Sequence, residues 1–146
     1  MADNILEPIP ANKIYKESSV QVATFFGGPL VAGYLISENF KSLGDRQKIR
    51  PTWVYTILVS ILIFGIVLFV PGLEKVPSYI IPIAYGGIAG YLVRRMQGEK
   101  IKTHTSNVGQ IYSIWRALLV SVIGLIITVG ILLLFASFLD IARLLR

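Results

Sequence analysis

The sequence contains no cysteine and few charged residues. The absence of cysteine excludes disulfides, thiol catalysis, and iron–sulfur or thiolate-zinc sites. Charged residues make up 15% of the 146 residues, whereas a soluble domain usually carries about 25%. Since 54% of the residues are hydrophobic, the chain has too little polar surface to face water on all sides. The composition therefore predicts a membrane protein.

Four stretches contain no Asp, Glu, Lys or Arg and are long enough to be considered membrane spans. They are 18–37, 51–73, 76–93 and 117–139, with lengths of 20, 23, 18 and 23 residues. At about 1.5 Å per helical residue they cover roughly 27 to 34 Å, close to the roughly 30 Å hydrocarbon core of a bilayer. We predict an all-α integral membrane protein with about four transmembrane helices, arranged as two tandem, similar helical hairpins.

The four stretches differ in character. The second and fourth consist mostly of Ile, Leu, Val and Phe, whereas the first is interrupted by Gly28 and Pro29 and the third by Pro82. For the first stretch, a kinked span, a re-entrant segment and an interfacial segment all stay open. The predicted divisions are an irregular N-terminal tail (1–17), a first helical hairpin (18–73), and a second helical hairpin with a short C-terminal tail (74–146).

The basic residues indicate how the chain sits in the membrane. The segments 38–50 and 94–116 hold 9 of the 14 Lys and Arg residues, and the positive-inside rule places such loops in the cytoplasm. If the first stretch spans, both termini lie outside and the basic residues divide 9 against 5. If it does not span, the tail joins the cytoplasmic side and the division becomes 11 against 3.

Aromatic and basic residues at the predicted cytoplasmic side are typical interface anchors, which sit at the level of the lipid headgroups. The net charge of +6 is therefore expected to meet anionic headgroups at the basic loops, and no nucleic acid is required as a partner. The predicted anchors are Trp53, Trp115, Arg94, Arg95 and Arg116.

A glycine-rich motif occurs twice, as GGPLVAGYLI in the first stretch and GGIAGYLV in the third, and the shared AGYL residues are 57 positions apart. Each copy precedes a basic loop, a tryptophan and a long apolar stretch, which indicates duplication of a two-helix hairpin. Small residues four positions apart share a helix face and allow a second helix to approach closely. They predict packing within the chain or against a partner. The helix-packing candidates are Gly27, Gly28, Ala32, Gly33, Gly86, Gly87 and Gly90.

The sequence offers no constellation for catalysis or metal binding. Every Asp and Glu lies outside the four stretches, so the carboxylate that marks an ion or proton route is missing from them. His104 is the only histidine and cannot build a metal site alone. No serine or threonine in the stretches has a positioned base. We expect no enzymatic activity, no cofactor and no metal.

Two functions are compatible with these observations. The first is a non-enzymatic integral membrane subunit or scaffold that packs through its glycine-rich helix faces, against another membrane protein or as a homo-oligomer. The alternative is a small homo-oligomeric channel or carrier, because Gly/Pro interruptions at matching positions of two halves point to a binding site in transporters. A lipid-modifying enzyme would need a nucleophile or an acid–base pair, and neither is present.

Residues 25–44, FFGGPLVAGYLISENFKSLG, resemble the signature FFGGPLxAGYLIxxNFKxLG that opens a poorly characterised family of small bacterial multi-pass membrane proteins. The Gln97-Gly98 pair and the SIWRA run at 113–117 are also similar to that family, although Ile114 replaces its usual Asn. Some relatives resemble this chain with a zinc ribbon in front, and without cysteine no such metal carries over. The resemblance implies a bacterial plasma (inner) membrane and no assigned activity.

Overall fold

A computed structural model describes residues 12–144, and this part of the chain is built from helices without a β-sheet. Single 3₁₀ turns lie before α3, at Arg46–Lys48, and after it, at Leu73–Lys75. The prediction of an all-α fold is confirmed. The five helices are α1 (Glu17–Gly27), α2 (Pro29–Ser42), α3 (Ile49–Phe69), α4 (Ile80–Ser106) and α5 (Ile114–Leu144).

Two helical segments, Arg46–Phe69 and Ile114–Phe138, are long and apolar enough to cross a membrane. They contain most of the two aliphatic stretches of the sequence, in which runs of Ile, Leu, Val and Phe bury little of their surface against the rest of the chain. In α4 the apolar part ends at Val93, after which Arg94 and Arg95 continue the same helix. The segment 94–116 is therefore helical as far as Ser106 and not a loop throughout.

The first glycine-rich stretch forms two helices that turn back on each other. Gly28 joins them with a φ of +84°, a conformation that glycine adopts without strain, and Pro29 occupies the first position of α2, where its missing N–H is no loss. Tyr15, before α1, bonds to Asn39 in the last turns of α2, 24 residues away. A continuous helix would separate this pair by about 36 Å. Residues 18–37 therefore do not form a single crossing helix.

This α1–α2 hairpin forms the centre of the fold. α1 packs against α4 and α5, and α2 packs mainly against α3. Within the described residues, α3, α4 and α5 hardly touch one another. The predicted second hairpin, 74–146, thus consists of two helices that lie against α1 instead of against each other, so the two halves differ in packing despite their similar sequences.

The segment just before α1 is extended, and two of its residues are buried. Ile14 and Tyr15 have no exposed surface. The Ile14 N–H donates to the Gln110 carbonyl at 3.2 Å, and its carbonyl accepts from the Tyr112 N–H at 2.9 Å. The end of the predicted irregular tail is therefore hydrogen-bonded to the connection between α4 and α5. Residues 1–11 of that tail lie outside the described part.

Candidate functional site

A buried polar network lies at the end of the fold that carries the basic residues. The Asn39 side chain accepts the Tyr15 N–H at 2.7 Å and donates to the Tyr15 carbonyl at 2.9 Å and to Gln97 Oε1 at 3.1 Å. Gln97 in turn donates to the Ile36 carbonyl at 3.0 Å. Since both amides are buried and each of these partners is well placed, the network joins the N-terminal segment, α2 and α4 in one arrangement.

Arg116 of α5 extends this network on its exposed side. Its Nε donates to the Tyr15 hydroxyl at 3.1 Å, and its guanidinium carbon lies 4.0 Å from the centre of the Tyr112 ring. Burial raises the pKa of the Tyr15 hydroxyl above its ordinary value of 10.0, so Tyr15 is neutral at physiological pH. Arg116 therefore rests on neutral aromatic partners, and no described carboxylate neutralises it.

Two exposed ion pairs tie α4 to the hairpin. Arg94 binds Glu17 at the start of α1 through both carboxylate oxygens, with the shortest distance 2.7 Å. Lys100 binds Asp45, after α2, at 2.6 Å, and its hydrogen bond, with further help from Lys48, lowers the pKa of the Asp45 carboxyl. Ion pairs exposed to solvent add little to the free energy of unfolding, so the main effect of these two pairs is to orient α4 against the hairpin.

Four of the glycine candidates lie where helices approach closely. A Cβ on Gly27 would come within 2.7 Å of the Ser121 backbone in α5, and one on Gly33 would overlap the Thr56 side chain in α3. Gly86 and Gly90 both lie against α1, with a Cβ on Gly86 placed 3.4 Å from the Gln21 carbonyl oxygen. Small-residue faces thus bring α1 against α4 and α5, and α2 against α3.

The other packing candidates have different surroundings. Gly28 is buried at the turn of the hairpin, where an added Cβ would lie 3.8 Å from Thr128 Oγ1. Ala32 is half-buried against the core. Gly87 has open space around it, and nothing lies within 4 Å of an added Cβ.

The predicted anchors occupy different positions at the basic end. Trp115 is 73% exposed, whereas Trp53 is half-buried in a groove between α3 and α5. Arg95 is exposed and donates to the Tyr91 hydroxyl at 3.0 Å. Arg94 and Arg116 also lie at this end of the fold. As described above, Arg94 binds Glu17 of α1 and Arg116 binds Tyr15 of the N-terminal segment.

A cavity of about 570 Å³ lies beyond the tip of the hairpin, between the far halves of α3, α4 and α5. It exists because α1 and α2, with 11 and 14 residues, reach only about 16 to 21 Å, while the helices around them are longer. Gly28, Pro29 and Pro82 all line it. The Gly/Pro interruptions of the first and third stretches therefore meet at one cavity.

The turn itself carries polar groups. Because Pro29 has no N–H, the Phe25 carbonyl lacks its usual donor four residues on, and the Tyr85 hydroxyl of α4 donates to it at 3.3 Å. Thr24 and Thr128 lie beside the turn, and among the described residues their hydroxyl oxygens are buried without a hydrogen-bond partner. Of these residues, Tyr85 and Thr128 line the cavity and give its wall polar groups beside the turn.

The sequence alone does not indicate that several of these residues are buried, although Asn39 and Gln97 belong to the motifs that carry the family resemblance. Asn39 and Gln97 lie in segments whose basic composition is typical of solvated loops, and Tyr85 and Tyr15 have no distinguishing pattern around them. Along the chain that the structure describes, no group of three or more His, Cys, Asp or Glu side chains could hold a metal ion.

No protein-family model, no curated protein and no solved structure matches this chain. The resemblance of residues 25–44 to the bacterial family named above therefore stays a prediction.

Proposed function

We propose that this chain is an integral membrane protein in which α3, α4 and α5 cross the bilayer and the α1–α2 hairpin enters from the cytoplasmic side without crossing. The geometry of the hairpin supports this, because both of its ends lie with the basic residues, joined by the Tyr15–Asn39 pair. The basic residues then divide 11 against 3, a stronger bias than the 9 against 5 of four spans.

Single-cysteine labelling tests this topology, and the natural absence of cysteine provides a clean background. Lys13→Cys, Lys102→Cys and Lys75→Cys all place the thiol at exposed positions. An impermeant maleimide added to intact cells should label only the Lys75→Cys variant, and all three should react after permeabilisation. Labelling of Lys13→Cys in intact cells would instead support four spans.

We further propose that the protein is a non-enzymatic membrane subunit that assembles with another membrane helix. The supporting observation is the exposure of α3, which, among the described residues, packs mainly against α2 and the preceding 3₁₀ turn and has one buried residue, Ser60. The glycine faces are occupied inside the chain, at Gly27, Gly33 and Gly86. The open face of α3 is therefore where a partner helix, from a second copy or another protein, would pack.

Site-specific cross-linking in native membranes tests this assembly. Ile61 on α3 and Leu119 on α5 are 63% and 66% exposed, so Ile61→Cys and Leu119→Cys are matched for accessibility. A thiol-directed photo-cross-linker should capture a protein through position 61 and not through position 119, at the mass of a homodimer or of a different partner. Absence of any adduct at position 61 and at other exposed α3 positions would contradict the proposal.

A carrier or channel is the second candidate, supported by the meeting of Gly28 and Pro82 at one cavity. The test is flux through vesicles that contain the purified protein, for a panel of small ions and apolar solutes. Leu125→Trp should reduce any flux by filling the cavity that Leu125 lines. Leu119→Trp, on the outside of the same helix, is the matched control. Vesicles without flux for any solute in the panel would count against this candidate.

A further inference from the structure

A second apolar recess, which we call the α3–α5 groove, lies on the basic side of the fold. It has a volume of about 430 Å³ and an almost entirely apolar lining. It forms because α3 and α5 each pack on α2 and not on each other, which leaves α2 as the floor between them. Its lining includes Tyr34 of α2, Trp53 of α3, and Val120 and Ile127 of α5.

Aromatic side chains and unneutralised cations lie at the basic end of this groove. Tyr34 and Trp53 line that end. Arg50 is three residues before Trp53, and Arg116 is four residues before Val120, so each arginine shares a helix face with a lining residue and lies one turn nearer the basic loops. Both arginines are exposed, and neither has a carboxylate partner in the region that the structure covers.

We propose that the α3–α5 groove binds one anionic phospholipid of the cytoplasmic leaflet, with an acyl chain along the groove and the phosphate between Arg50 and Arg116. This assignment rests on the membrane placement proposed above. Guanidinium groups bind phosphate through paired hydrogen bonds, and tyrosine and tryptophan favour the headgroup level. The groove thus offers an apolar surface for an acyl chain and, at its basic end, two cationic side chains for the phosphate.

Charge argues against other occupants of the groove. A second copy of this chain in the same orientation would bring its own basic end, from a net charge of +6, against Arg50 and Arg116. An apolar helix of another protein would fill the groove but leave both guanidinium groups without a counter-charge. An anionic lipid satisfies both parts of the site and is already present in the surrounding bilayer.

Tryptophan fluorescence provides a direct test, because Trp53 and Trp115 are the only tryptophans. In the otherwise intact Trp115→Phe variant, Trp53 alone reports on the groove. The protein is placed in phosphatidylcholine vesicles with increasing phosphatidylglycerol brominated in its acyl chains, and in a parallel series with brominated phosphatidylcholine. We expect half-maximal quenching at a mole fraction of brominated phosphatidylglycerol about tenfold lower, the preference that one charge-assisted hydrogen bond supplies.

Variants of Arg50 test whether the cationic end of the groove is the source of this preference. Arg50→Gln should remove most of it, and Arg50→Lys should retain it in part, while unchanged melting temperatures show that the fold persists. Lys16→Gln, which removes the same charge at an exposed position before α1, is the matched control and should leave quenching unchanged. Excess water-soluble glycerophosphoglycerol should not compete, since it has no acyl chain.

Several outcomes would overturn the lipid site. Equal quenching by the two lipids would show that no anionic lipid is selected, and absence of quenching would show that the groove is covered by protein. Competition by glycerophosphoglycerol would show a phosphate site without a role for the groove. Selective quenching that persists when cysteine labelling contradicts the topology would preserve the lipid site and remove only the assignment to the cytoplasmic leaflet.

Discussion

Asn39 satisfies both main-chain polar groups of Tyr15, accepting from the N–H at 2.7 Å and donating to the carbonyl at 2.9 Å. One side-chain amide therefore pairs the N–H and the carbonyl of an extended residue, as the backbone of a neighbouring strand does in a β-sheet. Since Tyr15 precedes α1 and Asn39 lies near the end of α2, the same pair fixes the antiparallel course of the hairpin on which α3, α4 and α5 pack.

The first prediction concerns this pair. Asn39→Ala removes three buried hydrogen bonds, to Tyr15 and Gln97, and leaves groups that each cost about 1–3 kcal/mol when unpaired. We expect the free energy of unfolding in detergent to fall by about 3 kcal/mol or more. Asn12→Ala is the control, because Asn12 makes one exposed bond of 3.4 Å. Equal effects of the two variants would show that the amide network does not hold the hairpin closed.

The second prediction separates two glycines of the repeated motif. A Cβ on Gly27 would meet the backbone of Ser121 at 2.7 Å, and backbone cannot move aside as a side chain can, whereas Gly87 has open space. Gly27→Ala should lower the melting temperature strongly, through separation of α1 from α5. Gly87→Ala should be neutral or raise stability slightly, since alanine favours a helix by roughly 1 kcal/mol over glycine. The reverse order of melting temperatures would contradict the packing.

The third prediction is a pH dependence of the Asp45–Lys100 contact. The hydrogen bond from Lys100 holds the pKa of Asp45 below its ordinary value of 3.8. The stabilisation is therefore fully present above the ordinary value and is lost as the pH falls through the lowered pKa. Asp45→Asn should be slightly less stable than the natural protein at neutral pH, and the two melting temperatures should converge in strong acid. A difference that stays constant down to strong acid would exclude the carboxylate as its source.

The fourth prediction concerns the turn of the hairpin. Tyr85→Phe removes the hydroxyl that donates to the Phe25 carbonyl and leaves the ring in place. Hydrogen bonds between helices in membranes contribute about 0.6 kcal/mol on average, so we expect a loss of that order in free energy of unfolding. Tyr79→Phe, at an exposed position, is the control. A loss in the control as large as that of Tyr85→Phe would mean that the hydroxyl does not support the turn.

The sequence predicts the helical elements of this fold more readily than their arrangement. Long apolar runs indicate α3 and α5, because a helix pairs the backbone N–H and C=O groups of such a run within the run itself. Gly28 and Pro29 indicate an interruption in the first stretch. Whether the chain continues or turns back there depends on a contact between residues 15 and 39, and a contact over 24 residues leaves no local pattern.

The same limit applies to the candidate site. The glycines at 86 and 90 indicate a close helix contact. The motif does not specify which helix packs there, and in the fold that helix is α1. Asn39 and Gln97 read as loop residues because their neighbours in sequence are polar and basic. They are buried because other parts of the chain cover them, above all α1 and the segment before it. These parts are distant in sequence, so the local pattern does not indicate the burial.

The central position of the hairpin also sets an order on assembly. Arg116 and Tyr15 meet although 101 residues separate them, so the first helices to be synthesised find their last contacts only when α5 has been made. Until then α1 has neither α5 nor, at first, α4 beside it. The hairpin can therefore complete its packing only after α4 and α5 have been synthesised, so that its final contacts form late in folding.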